Sequence, residues 1–450
     1  SRGVKRKRDT QDEIVNELRL LAPILRHAPS SFSTPSVFFD EDVANIVLCN
    51  RPFKFDTIPI TLFQEEFGQF QDDCMMNPSS KVQELLKVLT VAVCKSYSSE
   101  NKRGDIISNI FEAHANVYLL AKIQMTEYIT DGNLRSKVMP AVILECKNES
   151  ECALFQAIAR YVQFLKMQVT YFRNTRFPCV LMTVVGFENG SCIGFYGCLW
   201  TGQKLHVKLL APVYDLATPW EDEVDRRNIA AGLQAFLNII PRIDAHHTSL
   251  SKLPLQKRTY PYKTDYRDES GQQINFRYTE RIEKKLVFAA RTDEGAPLIV
   301  KFTRHYSADA HRFLAQLGHA PQLRAVTALP GGWKMIVLDF SRYIALEDIP
   351  FSFESQSIVI SRVSEILHKL HNYGYVHGDV RSINILVDPG TLTNTTGCAI
   401  HLLDFDWAAK IGEATYPMRI NTTTVRRPKG VTDGQLITAE HDMEMVQWLF

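Results

Sequence analysis

Between residues 246 and 275 the chain becomes poor in aliphatic residues. The stretch "SKLPLQKRTYPYKTDYRDESGQQ" (251–273) is polar and basic, and it offers no periodic apolar face to bury. On both sides of it, strand-like apolar runs and amphipathic helices resume. A chain of 450 residues broken in this way reads as two separately cored halves, as its length allows. The expected organisation is an N-terminal segment (1–59), a first domain (60–245), a linker (246–275) and a second domain (276–450). With 45% apolar and 22% charged residues, the composition is that of an ordinary folded protein.

Within the first half, residues 11–28 have helical apolar spacing, with Pro23 as an early end or kink. The segment "SSKVQELLKVLTVAVCKSY" (79–97) predicts a helix. Three strands are expected between 115 and 147: "ANVYLLAKI", a short piece around "EYITDG", and "MPAVILECK". A strong helix follows at 153–169, then strands in "FPCVLMTVVGF" and "CIGFYGCLW", then a helix over about 219–239. The order describes an α/β core. In the second half, strands in "KKLVFAAR", "APLIVKF" and "WKMIVLDF" precede a helix at 355–372 and more short strands, which predicts an α/β or α+β unit.

Net charge is +1, yet the first ten residues carry five basic groups and one acid, so the other 440 sum to −3. A nucleic-acid contact would need a local basic groove, because no global positive field is present. "KRKR" at 5–8 reads either as a nuclear-import signal or as a solvated basic terminus. Nine cysteines without a CxxC speak against a zinc site or a disulfide framework, and favour a reducing compartment. No run approaches the ~18 apolar residues of a membrane helix. No membrane partner is expected.

"AVILECKNES" (141–150) runs apolar and then turns charged. Alternation puts Glu145 and Lys147 on one face and Cys146 on the other, where it packs in the core. Such a pair is either a solvated strand end or part of a phosphodiester-cleaving site. Mg²⁺ is held by one or two carboxylates, water and substrate oxygens, and it neutralises charge on the transition state. Glu145 is one candidate ligand and Asp131, in "ITDGNL", the second. Lys147 would orient water or stabilise developing charge. The next helix carries Gln156, Arg160 and Gln163 on one face, suited to phosphates or simply to solvent. Arg173 and Arg176, in "YFRNTRF", could line a groove for DNA or sit in a solvated turn. "QKRTYPYK" could likewise touch phosphates or act only as a connector.

The succession of helix, "TDG", "PAVILECKNE" and "QAIARY" resembles the PD-(D/E)XK restriction-endonuclease-like superfamily. More narrowly, it is similar to the nuclease half of fungal nuclease–kinase fusions of the Crinkler effector type. The resemblance implies an αβββαβ core with Asp131 and Glu145 as metal ligands. It also implies Lys147 as catalytic lysine, Gln156 as a helix-borne active-site residue, and Glu84 as an added first-helix acid. "SECAL" stands where these relatives carry a Gly-rich turn.

"YVHGDVRSINILV" (375–387) contains HxD with an Asn five residues after the Asp, and "HLLDFDWA" (401–408) follows. Phosphoryl transfer from ATP needs a base, oxygen ligands for Mg²⁺, and a lysine on the phosphates. Asp379 fits the first role, Asn384 and Asp404 the second, and Lys301 in "LIVKF" the third, in the expected order. The segment 276–450 resembles the protein-kinase-like superfamily in its HGD form, as in aminoglycoside and lipopolysaccharide kinases. That resemblance implies a bilobal fold with ATP as cofactor. Three features depart from it. No GxGxxG precedes Lys301. No Glu lies between Lys301 and Glu347, which leaves Asp309 or nothing as the lysine's partner. The third motif reads DFD, with Asp406 in place of glycine. Asp442 matches the buried Asp of a C-lobe helix, and an abbreviated C-lobe is expected.

The function expected from the sequence is Mg²⁺-dependent cleavage of double-stranded DNA with little sequence preference. It would be exerted in a nucleus by a toxic effector, with delivery into host cells as one route. The kinase-like half would bind ATP and regulate the nuclease, and a homodimer is left open. The alternative is an ATP-dependent protein kinase whose nuclease fold only docks DNA or protein. Two inactive folds acting as an interaction module form a third reading.

Overall fold

The computed structural model describes residues 2–49, 57–117, 139–148, 152–168, 171–172, 175–187, 190–219, 221–249, 257–282, 285–350, 352–392 and 397–450. The chain is mixed α/β and divides into two compact units, Ser1–Lys263 and Thr264–Phe450. Among the described residues, no helix is long and apolar enough to cross a membrane.

The first unit opens with α1 (Arg2–Leu25), which keeps Pro23 in its last turn and buries Leu21 and Ile24. Glu17 of this helix is buried, accepts a hydrogen bond from Trp200 Nε1 at 2.8 Å, and pairs with Arg258. After β1 (Val47–Cys49) come α2 (Glu65–Asp73), α3 (Ser80–Val93) and α4 (Glu100–Ala115). Helix α4 takes in Ala115, the first residue of the expected strand "ANVYLLAKI". Ser99 caps it by accepting from Lys102 N, while Ile107 and Phe111 are buried. Asn116, at φ +56°, caps the helix in the left-handed conformation, and the rest of that strand from Tyr118 and the one around "EYITDG", with Asp131, lie outside the described residues.

The centre of the unit is β2 (Val142–Lys147), α5 (Ala153–Met167) and β3 (Cys179–Phe187). Strands β2 and β3 pair in parallel, with Glu145 opposite Thr183, so α5 is the crossover between them. β4 (Gly190–Trp200), β5 (Leu205–Leu209) and β6 (Tyr214–Asp215) complete the sheet in the order β1-β5-β4-β3-β2, with β6 beside β4. Ile143 packs under α5 against Ala157, Ile158 and Tyr161. α6 (Glu223–Thr248) runs nine residues past its expected end and carries Pro241 internally.

The expected linker is only partly one. Residues 246–248 are helical. The backbone at 258–262 is held to the first unit by Arg176, whose guanidinium donates to Phe63 O (2.8 Å), Arg258 O (2.8 Å) and Tyr260 O (2.6 Å). Tyr262 N also donates to Leu62 O at 2.8 Å. Arg176 is 3% exposed, so it belongs neither to a DNA groove nor to a solvated turn. Arg173 lies outside the described residues.

From residue 265 the chain already belongs to the second unit's sheet. β7 (Asp265–Arg267) and β8 (Gln273–Arg281) bury Tyr266, Phe276 and Tyr278, so aromatic residues fill the role that aliphatic ones play elsewhere. β9 (Val287–Thr292), β10 (Pro297–Thr303), β11 (Leu323–Leu329) and β12 (Trp333–Asp339) extend it to an antiparallel sheet ordered β11-β12-β10-β9-β8-β7. α7 (Ala308–Gln316) lies between β10 and β11. β13 (Ile344–Ala345) and α8 (Phe353–Asn372) follow, then β14 (Tyr375–Val376), β15 (Ile385–Val387), β16 (Ile400–Leu402), β17 (Ala409–Lys410) and α9 (Ala439–Val446). Val363, Ile366 and Leu370 of α8 pack against Ile385, Leu402 and Val446.

At the end of α6, His247 is buried and its Nδ1–H donates to Met139 O at 2.9 Å. Burial, helped by the neighbouring His246, lowers its pKa to about 3. His246, whose Nε2 is 2.7 Å from Thr175 Oγ1, is lowered to about 4 by burial and by Arg176. Both rings are neutral in the fold and titrate near 6.5 when unfolded. Their contribution to stability is therefore full above about pH 6.5 and is lost as pH falls toward the folded values. Each adds at most ~1.4 kcal/mol per pH unit in that window. His247→Gln should flatten the dependence of the urea midpoint on pH between 7 and 5. An unchanged slope would contradict the assignment.

Candidate functional site

Two polar clusters stand out, one in each unit. In the first, strand alternation turns Ile143, Glu145 and Lys147 toward one face, and all three are buried. Glu145 Oε2 lies 2.8 Å from Arg160 Nε of α5, and Lys147 Nζ lies 3.2 Å from Glu100 Oε2 in the first turn of α4. Gln156 is buried too, and its Oε1 has no hydrogen-bond partner among the described residues. The expected polar stripe on α5 therefore faces β2 through Arg160. Burial pushes the Glu145 carboxyl up to about 7 against the opposing pull of Arg160 and Lys147. Cys146, on the reverse face, is buried with its thiol pushed up to about 12, chiefly by burial.

Glu84 is not part of this cluster. It sits on the exposed side of α3, where Lys87 Nζ reaches it at 3.0 Å. The helix-borne acid that does arrive is Glu100, one helix later. Its position directly after the capping Ser99 was the available signal. Glu145 and Glu100 are each matched by a cation, and no group of three or more His, Cys, Asp or Glu among the described residues could hold a metal ion. The described residues of this first cluster do not by themselves fit a magnesium site. Asp131, the second expected ligand, lies outside them.

The second cluster is built around one buried carboxylate. Asp442 of α9 is 0% exposed. It accepts from His377 N and Gly378 N, each at 2.7 Å, and from His371 Nε2 at 3.0 Å. His377 Nε2 in turn donates to Leu403 O at 2.9 Å, tying the 377–384 loop to the segment before Asp404. Gly378 has φ +84°, and a Cβ there would lie 2.8 Å from Ile437 Cδ1. The second residue of the HGD motif must therefore be glycine here. Within the loop, Asn384 Nδ2 donates to Asp379 O and Oδ2, both at 2.9 Å, which leaves the Asn384 amide oxygen as its remaining polar atom.

Lys301, from β10, reaches Asp404 Oδ1 at 2.6 Å across 103 residues of chain. It also reaches Asp406 Oδ1 at 2.7 Å. Asp404 has φ +67°, an uncommon conformation for a residue with a side chain. Phe405, between the two acids, is buried and stacks on His311 of α7, with ring centroids 4.5 Å apart. Burial alone would lower Lys301, but the carboxylates of Asp404 and Asp406 outweigh it and hold the lysine's pKa above its ordinary value. Burial likewise pushes Asp404 up, and Lys301 overcomes this to keep it low. Asp406 is raised to about 6, burial being the larger effect.

Asp309 is not the lysine's partner. Its side chain is 68% exposed, 4.0 Å from Arg312. The partner is Asp406, which takes the place of the glycine and accepts from Thr303 Oγ1 at 3.0 Å as well. The DFD spelling was the signal for it.

Lys301, Asn384 and Asp404 line a cavity of about 330 Å³ whose walls include Val287, Ile299 and Leu386. Such a volume and such a mixture of apolar walls with a few polar groups suit a small organic ligand. Hard oxygen donors beside an ammonium group fit a nucleotide with its magnesium ion. The loop between β8 and β9 contains no glycine; its Ile282 and Lys285 line the cavity.

No protein-family model matches the chain, and no curated protein matches it. Among solved structures, the chain is similar to the Cydia pomonella granulovirus kinase PK-1, at 15% identity and a TM-score of 0.27. That match covers 32% of this chain and 55% of the viral kinase, about half its length. A second similarity is to vaccinia related kinase 3, at 18% identity, with 44% of this chain and 68% of that one covered and a TM-score of 0.29. Both likenesses are weak.

Asp442→Ala should destabilise the second unit by about 3 kcal/mol, because two buried amides and an imidazole lose their acceptor. Asp442→Asn, which retains one acceptor oxygen, should fall between Ala and wild type. Urea unfolding followed through second-unit peptides by hydrogen exchange measures both.

Proposed function

We infer that the second unit is an ATP-dependent phosphotransferase acting on a hydroxyl acceptor. The observation that carries this reading is the pairing of Lys301 with Asp404 on the wall of an apolar cavity, beside Asn384. Mg²⁺-ATP, when bound, supplies the phosphoryl group and a metal charge that offsets it. Asp404 and Asn384 would hold the ion through oxygen atoms, and Lys301 would bind and orient phosphate oxygens. Asp379 would accept the proton of the acceptor hydroxyl, and Arg381, 2.6 Å from Asp379 Oδ2, would offset negative charge arriving beside it. The lysine is oriented from the DFD turn through Asp406, independently of any acid on α7.

This reading is tested by ligand-linked stability and by transfer. At Mg²⁺-ATP about 100-fold over Kd, Tm should rise by about 5 °C or more. Lys301→Ala and Asp404→Ala should abolish the rise. Transfer of the γ-phosphate to any acceptor should be lost in Asp379→Asn. Absence of a Lys301-dependent shift would refute the reading.

A second activity, hydrolysis of phosphodiesters in double-stranded DNA, is favoured for the first unit by one observation. Glu145 and Lys147 are buried side by side on a strand that leads into the crossover helix bearing Gln156 and Arg160. In this reading Glu145, together with Asp131, would hold a magnesium ion that neutralises the scissile phosphate, Lys147 would orient the water or stabilise developing charge, and Gln156 would be the active-site residue from the helix. The basic run at 5–8 supports action in a nucleus, including that of a host cell. Supercoiled plasmid incubated with Mg²⁺ should be nicked by the wild type and at least ~100-fold more slowly by Glu145→Ala and Lys147→Ala. Nicking unaffected by both changes would refute this assignment and leave the first unit to dock DNA or protein.

A further inference from the structure

Asp379 has two carboxylate oxygens, and neither is open. Oδ2 faces Arg381 Nη2 at 2.6 Å and Asn384 Nδ2 at 2.9 Å. Oδ1 is buried and lies 2.8 Å from Nη1 of a second arginine, Arg427. The side chains of Asp379 and Arg427 are 6% and 4% exposed. Arg427 comes from the irregular stretch between β17 and α9, far in sequence from the catalytic loop. Its seat is built by other elements. The guanidinium carbon lies 4.8 Å from the ring centroid of Trp407, and Nη1 is 3.7 Å from Met445 Sδ. Arg427 Nε is buried with no hydrogen-bond partner among the described residues.

A general base must come within about 2.6–3.2 Å of the hydroxyl whose proton it takes. Here Oδ2 already receives two donors, and Oδ1 is covered by a guanidinium. An outside hydroxyl has no approach to either. Once Arg427 is removed, Asn384 and Arg381 still orient the carboxylate through Oδ2, and Oδ1 is left free to accept a proton. The arginine is therefore not needed to hold the base in place.

We propose that Arg427 is an autoinhibitory strap, which closes the acceptor side of Asp379 and must leave its seat before phosphate can be transferred to another molecule. The proposal rests on the phosphotransferase reading of the second unit. The neighbouring residues suit a segment that can detach. Thr422, Thr423 and Thr424 are exposed, and their local structure is an Asn421 turn in which Asn421 Oδ1 accepts from Thr423 N and Thr424 N. Arg426 lies over Trp448, its guanidinium carbon 4.3 Å from the ring centroid, so two consecutive arginines seat on two tryptophans.

The test uses the full chain with Mg²⁺-ATP and a degenerate mixture of Ser/Thr peptides as acceptor. Arg427→Gln should raise the initial rate of γ-phosphate transfer by about tenfold. The KM for ATP should stay within about twofold, because Arg427 is not among the residues lining the cavity. Where the wild type transfers phosphate, a rate that falls or does not change overturns the strap. A second measurement does not depend on turnover: carbodiimide coupling of glycinamide to carboxylates, read by peptide mass spectrometry. In the wild type, Asp379 should resist coupling while the exposed Asp309 reacts. In Arg427→Gln, Asp379 should react at least about tenfold faster, following its exposure. Equal coupling in the two proteins overturns the proposal. If Asp379 is uncovered as expected and no variant transfers phosphate, the strap stands and the phosphotransferase reading fails. Should Arg427→Gln not fold, Trp407→Leu, which removes the ring under the guanidinium, is expected to move both readouts in the same direction, and no movement overturns the strap.

Discussion

The second unit is organised around a single buried carboxylate. Asp442 takes the amide hydrogens of His377 and Gly378, and with them fixes the start of the loop that presents Asp379 and Asn384. A buried carboxylate is stable only when donors surround it, and two backbone amides with an imidazole meet that demand. The contact also ties α9 to a loop more than 60 positions earlier in the chain. The contact thus gives that loop a defined shape.

A comparable economy is seen at Lys301. An ammonium drawn into a partly buried wall needs a counter-charge, and α7 brings none to it. Asp404 and Asp406 provide it from one turn, with Phe405 inserted between them against His311. Holding the lysine from the DFD turn separates its orientation from movement of α7. The first unit solves its own charge problem differently, by matching Glu145 with Arg160 and Lys147 with Glu100. Each acid there has a cation of its own, and Glu145 nevertheless has a raised pKa because burial outweighs both cations.

Much of the architecture was legible from periodicity. The helix around 153–167, strands β2 to β4, β9, β10 and β12, and the helix ending at 372 all lie where their apolar spacing put them. Errors fell where the buried residues were not aliphatic or where a polar residue was buried by distant partners. β8 escaped notice because Phe276 and Tyr278 alternate with the polar Asn275, Arg277 and Thr279. The helix from 100 to 115 is rich in polar residues and was not recognised. Arg176 looked solvated in "YFRNTRF", yet three carbonyl groups from two separate segments surround it. Glu84 was expected near Glu145, and Asp309 or nothing near Lys301; Glu100 and Asp406 stand beside the two lysines instead, for a related reason. Helical spacing says which side of a helix is polar, but not which polar group ends beside a given lysine.

By itself, the sequence determined that the chain forms two α/β-type bodies. It determined which strands are apolar enough to be central, and that a Lys, an HxD-Asn set and a later Asp occur in an order suited to phosphate chemistry. Those properties are local, because they depend on alternation, on spacing and on residue type. Tertiary structure alone decided which charges meet: Lys301 with Asp406, Lys147 with Glu100, and Asp379 with Arg427. Each of these pairs joins residues more than 40 positions apart, and their energy depends on separation in space and on loss of water, quantities that no spacing along the chain encodes.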